Sequence, residues 1–356
     1  MVQPCAVLVT LALLAGPNHL RRSQAEAVGP GVAAEIRELI GKSGADVAVA
    51  FRTLDGRNEL LIQPDVEYHA ASTMKVPVLI ELFRQARAGL LSLDDRIAVV
   101  NEFHSIVDGS PFTLDTGDDS DAEVYKHIGG HMSYRDLAEA MITVSSNFAT
   151  NLIIEHLGAK NIQTTTDAIG ASGMHVLRGV EDDKAFQKGL NNSTTARALL
   201  ILMETIAHGK AVDTRASDEM IAILKRQKFN ERIPAGLPPG IPVAHKTGEI
   251  TKIQHDAAIV YAGRPFALVV LIRGVQDAKQ GSALTADITR LLYRASQPAT
   301  APAKGRRLAR LVQTASAKAT AVSPKRSRRR KDPPHTRPGA TTALSPARRK
   351  TRVQDG

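Results

Sequence analysis

The sequence predicts an α/β fold of the α+β kind, with one antiparallel sheet packed with helices and an all-helical subdomain in the middle of the chain. Strand patterns lie near both ends of the globular region. Apolar residues at helical spacing fill the stretch between them, and no repeat of fixed period is visible. Strands that enclose a helical middle favour one sheet with helices on its faces, in two or three layers.

The first predicted elements are a helix, a hairpin and a second helix. Residues 32–40 carry apolar side chains at helical spacing. The segments 46–54 and 58–63 are predicted as strands, because Asp55-Gly56 between two apolar runs is typical of a tight hairpin turn. A strong helix is then predicted over residues 73–88, where apolar side chains share one face.

The remainder of the globular region divides into a helical part and a late strand part. Residues 101–131 are rich in Asp, Gly and Ser and are predicted as an irregular excursion. Helical spacing then resumes, and the predicted helices of the middle subdomain are residues 134–144, 147–156, 160–169, 194–208 and 217–226. Beyond Pro242 the apolar period changes to two or to short runs, which indicates strands. These strands and the closing helix are residues 243–250, 257–262, 266–273 and 283–293.

Both ends of the chain differ from the globular region, which we place at residues 28–296. Residues 1–27 contain an apolar stretch too short to span a bilayer, and we predict a signal peptide and a secreted or periplasmic protein. The chain has 46 Lys and Arg against 36 Asp and Glu, a net charge of +10. Residues 301–356 hold 16 basic and two acidic residues, so this part carries +14 and the first 300 residues carry −4. We predict that residues 297–356 form a basic disordered tail.

Ser72 and Lys75 form a Ser-x-x-Lys pair at the start of the second predicted helix. Residues three apart on a helix face the same way, so the Lys75 amine can reach the Ser72 hydroxyl. A serine is a poor nucleophile until a neighbouring base takes its proton, and a lysine is such a base only if its pKa is lowered. The helix N-terminus also favours the negative oxygen that forms during acyl transfer. Ser72 and Lys75 are therefore candidates for nucleophile and base.

Two further motifs follow in order along the chain. Ser145-Ser146-Asn147 lies at another predicted helix start, where serine and asparagine are also ordinary capping residues. Lys246-Thr247-Gly248 lies in the first late strand, where a lysine and a hydroxyl can hold a substrate carboxylate and a glycine lets the backbone approach closely. Each motif alone is weak, but the ordered triple is a known signature of class A β-lactamases and penicillin-binding proteins.

On these motifs the sequence resembles class A β-lactamases and related serine hydrolases of the penicillin-binding-protein superfamily, over roughly residues 28–295. The segments 141–152 and 255–260 extend the similarity beyond the three motifs. The resemblance implies the serine β-lactamase and transpeptidase type of fold for the whole globular region. It covers nothing of the basic tail.

The resemblance also implies roles for individual residues. Ser145 corresponds to the serine that relays a proton to the leaving nitrogen of the substrate. The backbone N–H groups of Ser72 and Glu249 would form the oxyanion hole. The remaining residues implied in substrate binding are Asn147, Lys246, Thr247 and Gly248.

The resemblance is imperfect at three positions. Class A enzymes use a glutamate on an Ω-shaped loop to activate water, and Glu181 is the best match, with one residue more after Arg178 than the family has. The alternative is that residues 181–183 form a solvated acidic loop. Ser146 replaces the usual aspartate of the second motif, and His255 stands where several β-lactamases carry an arginine.

These observations lead to one leading hypothesis and two alternatives. The leading hypothesis is a serine β-lactamase that hydrolyses the β-lactam amide through an acyl-Ser72 intermediate, with Glu181 or Lys75 as base. The first alternative keeps the acylation but assigns a peptidoglycan peptide or an ester as substrate, with slow deacylation by a DD-peptidase or esterase-like enzyme. The second is a penicillin-binding module without turnover, anchored by its basic tail.

The sequence also leads to expectations about cofactors and partners. We expect no metal and no other cofactor, because His127 and His131 are separated by two glycines and no further ligand pattern accompanies them. The expected ligand is a small β-lactam or peptidoglycan-like molecule, bound by a monomer. The tail is expected to bind anionic cell-envelope polymers rather than nucleic acid, since the signal segment favours an envelope location.

Overall fold

The computed structural model of the chain describes residues 26–298, and strands from both ends of that range form one sheet. The strands of the described range are β1 (Glu26–Ala27), β2 (Asp46–Thr53), β3 (Asn58–Ile62), β4 (Tyr68–His69), β5 (Arg96–Ala98), β6 (Phe103–His104), β7 (Pro111–Phe112), β8 (His131–Ser133), β9 (Ser193–Thr194), β10 (Val243–Ile250), β11 (Ile253–Val260) and β12 (Phe266–Arg273). Its α-helices are α1 (Pro30–Ser43), α2 (Lys75–Arg87), α3 (Tyr134–Thr143), α4 (Asn147–Leu157), α5 (Ala159–Ile169), α6 (Asp183–Gln187), α7 (Ala196–Ala207), α8 (Thr214–Leu224) and α9 (Ala278–Ser296).

The central sheet has the strand order β1-β3-β2-β12-β11-β10. Neighbouring strands from β3 to β10 are antiparallel, whereas the short β1 runs parallel to β3. The register pairs Asp46 with Arg273 and Gly248 with His255. The predicted antiparallel sheet of N-terminal and C-terminal strands is confirmed, and β1 is an additional parallel strand at its edge.

Helices cover both faces of this sheet. Successive side chains of a strand point to opposite faces, and β12 accordingly contributes to two hydrophobic clusters. Leu268 and Val270 pack with α1 and α9, whereas Val269 and Leu271 pack with the helical body that contains α2, α4 and α7. The molecule therefore has three layers, with the sheet between the terminal helices and the helical subdomain.

α2 is the central helix of the helical subdomain. It contacts α3, α4, α5 and α8, and most of its residues from Lys75 to Gln85 are buried. A helix that is buried on nearly all sides is a fixed support for whatever it carries at its ends. The first residue of α2 is Lys75, so the candidate base is held at the start of a helix that is buried along most of its length.

The predicted helices and strands are confirmed, with shifted ends at several of them. The middle subdomain, predicted as all-helical, also contains the short strand pairs β5–β8 and β6–β7. α7 begins at Ala196 rather than at residue 194, because the Thr195 side chain caps it and β9 pairs with β4. β11 begins four residues before its predicted start at residue 257. Residues 254–256 are polar and yet buried in the sheet, so the apolar pattern does not reveal them.

Residues 101–131 form an irregular excursion, as predicted, that contains the β6–β7 hairpin and a 3₁₀ turn, Val124–His127. The excursion folds onto the beginning of α4. The ring of Tyr125 lies 4.6 Å from that of Phe148, centroid to centroid, and the ring of Phe103 lies 6.1 Å from it. This packing brings the acidic residues of the excursion beside the second motif.

The signal segment, apart from its last two residues, lies outside the described residues, and so does the tail apart from its first two. Within residues 26–298, no helix is long and apolar enough to cross a membrane.

Candidate active site

Ser72 lies in a 3₁₀ turn, Ala71–Met74, that leads into α2. The α-helix predicted over residues 73–88 begins only at Lys75. The expectation that Ser72 opens the α-helix is therefore corrected, since Ser72 precedes it by one tighter turn. The Lys75 N–H donates to the Ser72 carbonyl across that turn, as the three-residue spacing of 3₁₀ hydrogen bonds requires.

The residue before Ser72 has an unusual backbone conformation. Ala71 has a φ of +45°, which non-glycine residues rarely adopt. The Ala71 N–H donates to His69 Nδ1 at 3.0 Å, and the Thr73 hydroxyl donates to the Ala70 carbonyl at 2.6 Å. Strained residues persist where the surrounding contacts hold them, and they cluster at functional sites.

Lys75 is completely buried, and its ammonium group is held by the second motif. Nζ donates to the Ser145 carbonyl at 2.7 Å, to Asn147 Oδ1 at 2.8 Å and to the Ser145 hydroxyl at 3.3 Å. Burial lowers the pKa of Lys75 to about 7, against the opposing effect of two nearby carboxylates. Within residues 26–298, the hydrogen bonds of Lys75 Nζ do not include one to the Ser72 hydroxyl, although the sequence pattern predicted that the amine would reach it.

The Ser145 hydroxyl lies between two buried ammonium groups. Lys246 Nζ of the third motif donates to it at 2.9 Å, and Lys75 Nζ of the first motif donates to it at 3.3 Å. Burial, reinforced by the positive charge of Lys75, keeps the pKa of Lys246 well below its usual value. Ser145 itself has a φ of +61° and links α3 to the start of α4. A hydroxyl that contacts two buried lysine amines of lowered pKa can exchange a proton with them, so Ser145 is suited to pass on a proton.

Strand β10 carries the third motif past the 3₁₀ turn that contains Ser72. A Cβ atom on Gly248 would lie 3.1 Å from Thr73 Cγ2 and 3.2 Å from both Ala71 Cβ and the Ser72 backbone nitrogen. These distances are shorter than ordinary van der Waals contacts, so a larger residue would push the strand away from the turn. The glycine thus allows the backbone of β10 to lie directly against Ser72.

Glu181 reaches the site from the loop between α5 and α6. Asn147 Nδ2 donates to Glu181 Oε1 at 2.9 Å, so the loop is joined to the second motif. The Glu181 side chain is open to the cavity on one side. The protein around its other sides, together with the carboxylates of Asp118 and Asp183, raises its pKa. Its φ of +59° is a further strained backbone conformation at the site.

The loop that carries Glu181 is held from both sides. The Asn151 side chain accepts from the Val180 N–H at 2.7 Å and donates to the Val180 carbonyl at 2.9 Å. Asp182 is buried, caps α6 and accepts from the Ser105 hydroxyl at 2.9 Å. The alternative of a solvated acidic loop over residues 181–183 is therefore wrong for Asp182.

Two cavities open beside Ser72. The larger, of about 800 Å³, is lined in part by Ser72, Ser145, Asn147, Thr247 and Glu249. The smaller, of about 540 Å³, is lined in part by Ser72, Asn147, Glu181 and Glu249. The site is thus of the size that small-molecule ligands occupy. Within residues 26–298, no group of three or more His, Cys, Asp or Glu side chains is placed to hold a metal ion.

Comparison with known proteins identifies the family. A family model described as the β-lactamase enzyme family matches residues 31–296. The chain belongs to this family. A β-lactamase of Bacillus licheniformis is 28% identical over 247 residues, which are 65% of this chain and 73% of the relative.

Solved structures of β-lactamase relatives have the same fold. A mutant of PBP-A, in an acyl-enzyme complex with penicillin G, is 26% identical with a TM-score of 0.66, covering 76% of this chain and 97% of that one. An ancestral class A β-lactamase is 25% identical with a TM-score of 0.65, covering 74% of this chain and 99% of that one. The predicted family and fold are confirmed: the chain is a serine hydrolase of the class A β-lactamase and penicillin-binding-protein type.

The sequence pattern did not reveal Asp119, which organises the second motif of this β-lactamase-family chain. Its carboxylate accepts the backbone N–H groups of Asn147 and Phe148, each at 2.9 Å, and the Tyr125 hydroxyl at 3.2 Å. Ser146, which stands where the family usually has an aspartate, lies 3.4 Å from the same carboxylate. A carboxylate missing from the motif is thus present on the facing loop. The only hint in the sequence was the acidic run in residues 115–121.

Arg232 is a second residue that the sequence pattern did not single out. Its side chain is only 7% exposed and lines the larger cavity. Nη1 donates to the Gly248 carbonyl at 3.2 Å and to the His255 carbonyl at 2.8 Å, and Nη2 contacts the Glu249 carboxylate. Nothing in the sequence separates Arg232 from the exposed arginines, because its burial depends on the distant strands β10 and β11.

His255 replaces the family arginine with a buried neutral ring. The Ile272 N–H donates to His255 Nδ1 at 3.2 Å, so the ring proton is on Nε2, which donates to the His69 carbonyl at 2.9 Å. Burial lowers the pKa of His255 to about 4. His255 therefore supports the segment before the 3₁₀ turn that contains Ser72 instead of presenting a charge to the cavity.

Proposed function

We propose that the chain hydrolyses the amide of a β-lactam through an acyl-enzyme on Ser72. The observation that carries this proposal is the convergence of Lys75 and Lys246 on the Ser145 hydroxyl, in the cavity that Ser72 also lines. A nucleophile, a lysine of lowered pKa and a proton relay are the groups that acyl transfer needs. The family relationship supports the same chemistry.

In the acylation step, Ser72 Oγ attacks the lactam carbonyl carbon and its proton passes to a base. Neutral Lys75 is the candidate base, because it follows Ser72 by one turn and a pKa of about 7 leaves it substantially unprotonated at neutral pH. The backbone N–H groups of Ser72 and Glu249 stabilise the oxyanion. The carbon–nitrogen bond then breaks as Ser145 delivers a proton to the leaving nitrogen. Lys75 returns to Ser145 the proton that it took from Ser72, and Lys246 holds the Ser145 hydroxyl in place.

In the deacylation step, a water molecule attacks the acyl-Ser72 ester. Glu181 takes the water proton in this proposal, since it lines the smaller cavity together with Ser72. Its contact with Asn147 keeps the carboxylate on the substrate side of the loop. Collapse of the intermediate returns the proton to Ser72 and releases the opened product.

The second candidate function is that of a penicillin-binding peptidase or esterase with slow deacylation. The extra residue between Arg178 and Glu181 supports it, because the loop does not match class A enzymes in register. The similarity to PBP-A, which forms an acyl-enzyme with penicillin G, supports it also. Both candidates share the acylation of Ser72 and differ only in the fate of the acyl-enzyme.

A time course of labelling with a fluorescent penicillin tests the proposal. We expect a label on wild-type protein that forms and then decays, and a label that persists on the Glu181→Gln variant. Glu155→Gln is the matched control, because it removes an exposed carboxylate of α4 that lines neither of the two cavities beside Ser72. A protein whose Ser72 is never labelled contradicts acylation, and a wild-type label that persists for hours supports the peptidase.

Hydrolysis of nitrocefin distinguishes the third hypothesis, a binding module without turnover, from the two enzyme candidates. Steady hydrolysis of this chromogenic substrate excludes the binding module, whereas a single stoichiometric burst supports it.

For the two ends of the chain, we propose that the protein is exported and that its basic tail binds anionic cell-envelope polymers. Truncation at Ala301 should abolish retention on purified cell walls while leaving nitrocefin hydrolysis intact.

A further inference from the structure

Glu249 brings an acidic side chain into the cavity beside the nucleophile. Its carboxylate contacts Arg232 Nη2, and both residues line the larger cavity together with Ser72. The Arg232 side chain is 7% exposed, whereas that of Glu249 is 55% exposed. The guanidinium is thus fixed by the protein, and the carboxylate covers it from the open side.

The donors of Arg232 are already committed to other groups. Nη1 donates to the carbonyls of Gly248 and His255, which belong to strands β10 and β11. A guanidinium presents its donors in a planar fork, so the Nη2 side is the one on which a further carboxylate could bind. Glu249 occupies that side. A ligand carboxylate must therefore displace Glu249 before it can pair with Arg232.

A displaced Glu249 would remain close to the ligand. Asp118 lines the same two cavities as Glu249, so a ligand carboxylate there would face two protein carboxylates. Like charges that share a site disfavour one another. A ligand without a carboxylate meets no such opposition, because the Arg232–Glu249 pair can stay intact.

We propose that Glu249 tunes specificity by competing with substrate carboxylates for Arg232, so that an acyl donor with a carboxylate on its leaving group acylates Ser72 more slowly than an uncharged donor with the same acyl group. This inference rests on the proposed acylation of Ser72. The role belongs to the Glu249 side chain and is separate from the backbone N–H that the oxyanion hole would use.

A pair of thioesters tests the inference. The two donors share one acyl group, and the leaving thiol is either mercaptoacetate or the neutral mercaptoacetamide. Ser72 Oγ forms the acyl bond as the carbon–sulfur bond breaks, the serine proton leaves with the thiol, and water later cleaves the ester. The released thiol is measured, and the readout is the ratio of kcat/KM for the carboxylate donor to that for the amide donor.

We expect the wild-type ratio to be well below one and to rise about tenfold in the Glu249→Gln variant, because a charge-assisted hydrogen bond to Arg232 becomes available. Glu231→Gln is the matched control. Glu231 is exposed in the same cavity and makes no ion pair among the described residues, so its loss changes net charge alone. The ratio should stay within about twofold in that variant.

The outcomes separate this inference from the proposed function. An equal rise in Glu249→Gln and Glu231→Gln, or no rise in Glu249→Gln, overturns the inference while thiol release still supports acylation. Adding Arg232→Gln to Glu249→Gln should remove the gain, and a gain that survives also overturns it. If neither thioester nor fluorescent penicillin acylates Ser72, the proposed function fails and the inference fails with it.

Discussion

Replacing Asp119 by alanine should damage the fold and the site together. α4 begins at Asn147, and the first N–H groups of any helix lack partners within the helix. Asp119 accepts two of these groups, those of Asn147 and Phe148, and the Ser146 side chain accepts the Ala149 N–H at 3.2 Å. Removing the Asp119 side chain therefore leaves two donors at the positive end of the helix dipole without their anion.

The size of the effect can be worked out from these contacts. A hydrogen bond to a charged group contributes about 1.5–3 kcal/mol, but Asp119 is partly exposed and water can replace it in part. We expect Asp119→Ala to lower the free energy of unfolding by about 2–3 kcal/mol, and Asp119→Asn by about half of that. For a domain of this size the alanine change corresponds to a fall in Tm of about 5–10 °C.

The same substitution should slow acylation. Lys75 Nζ is held by the Ser145 carbonyl and by Asn147 Oδ1, both of which belong to the segment that Asp119 anchors. A displacement of about 1 Å in such a site can cost about a hundredfold in rate. The assays are urea unfolding and the rate of penicillin labelling at a temperature where the variant is folded.

Glu123→Ala is the control for this prediction. Glu123 lies in the same excursion, but its pair with Lys126 is exposed, with side-chain exposures of 72% and 65%. Such a pair contributes less than about 1 kcal/mol. The reasoning is refuted if Asp119→Ala is as stable as Glu123→Ala, or if it is destabilised while labelling proceeds at the wild-type rate.

Three other predictions concern the turn and the charges around Ser72. Gly248→Ala should slow acylation about tenfold or more, because its Cβ would lie 3.2 Å from the Ser72 nitrogen. The acylation rate should rise with pH through about 7 as Lys75 loses its proton. Since the Glu181 charge raises the pKa of Lys75, Glu181→Gln should move this rise to lower pH. His255→Phe should lower Tm by several degrees, because the His69 carbonyl and Ile272 N–H lose their buried partner.

Each of these predictions has its own comparison. Gly41→Ala, on the open surface of α1, should leave acylation unchanged, and equal rates for both glycine variants would contradict the steric argument. A pH profile that is identical in wild-type and Glu181→Gln protein would show that the two groups do not interact. His255→Gln can still donate to His69, so it should retain more stability than His255→Phe, and the reverse order would contradict the assigned tautomer.

The sequence predicted the helices and strands that depend on local patterns, such as apolar runs and helix caps. The strand that contains Val269 and Leu271 is predicted by an apolar run, and the start of α4 by Ser146 and Asn147. Lys75 could be proposed as a base because it follows Ser72 by three positions, which is about one helical turn. The pattern could not show that the Lys75 amine lies against Ser145, since that contact joins residues 70 positions apart.

The residues that the sequence did not reveal depend on tertiary packing. Arg232 is buried against β10 and β11, which supply two carbonyls to its guanidinium. Neither of these contacts can be predicted from the local sequence around Arg232. The start of β11 was missed for the same reason, since His255 is polar by type but buried by position.

The second motif shows how a departure from a family pattern can be compensated elsewhere in the chain. Read alone, Ser146 in place of an aspartate indicates a loosened motif. The structure has the carboxylate on Asp119 instead, 27 positions earlier, where it binds the N-terminus of the same helix. If the requirement is for a negative charge at that place rather than for a residue in the motif, Ser146→Asp should restore part of the stability that Asp119→Ser removes. In the wild-type background the same Ser146→Asp change should destabilise the protein, because two carboxylates would then share one helix end. Urea unfolding of the two single variants and the double variant measures this coupling, and strictly additive effects would contradict the compensation.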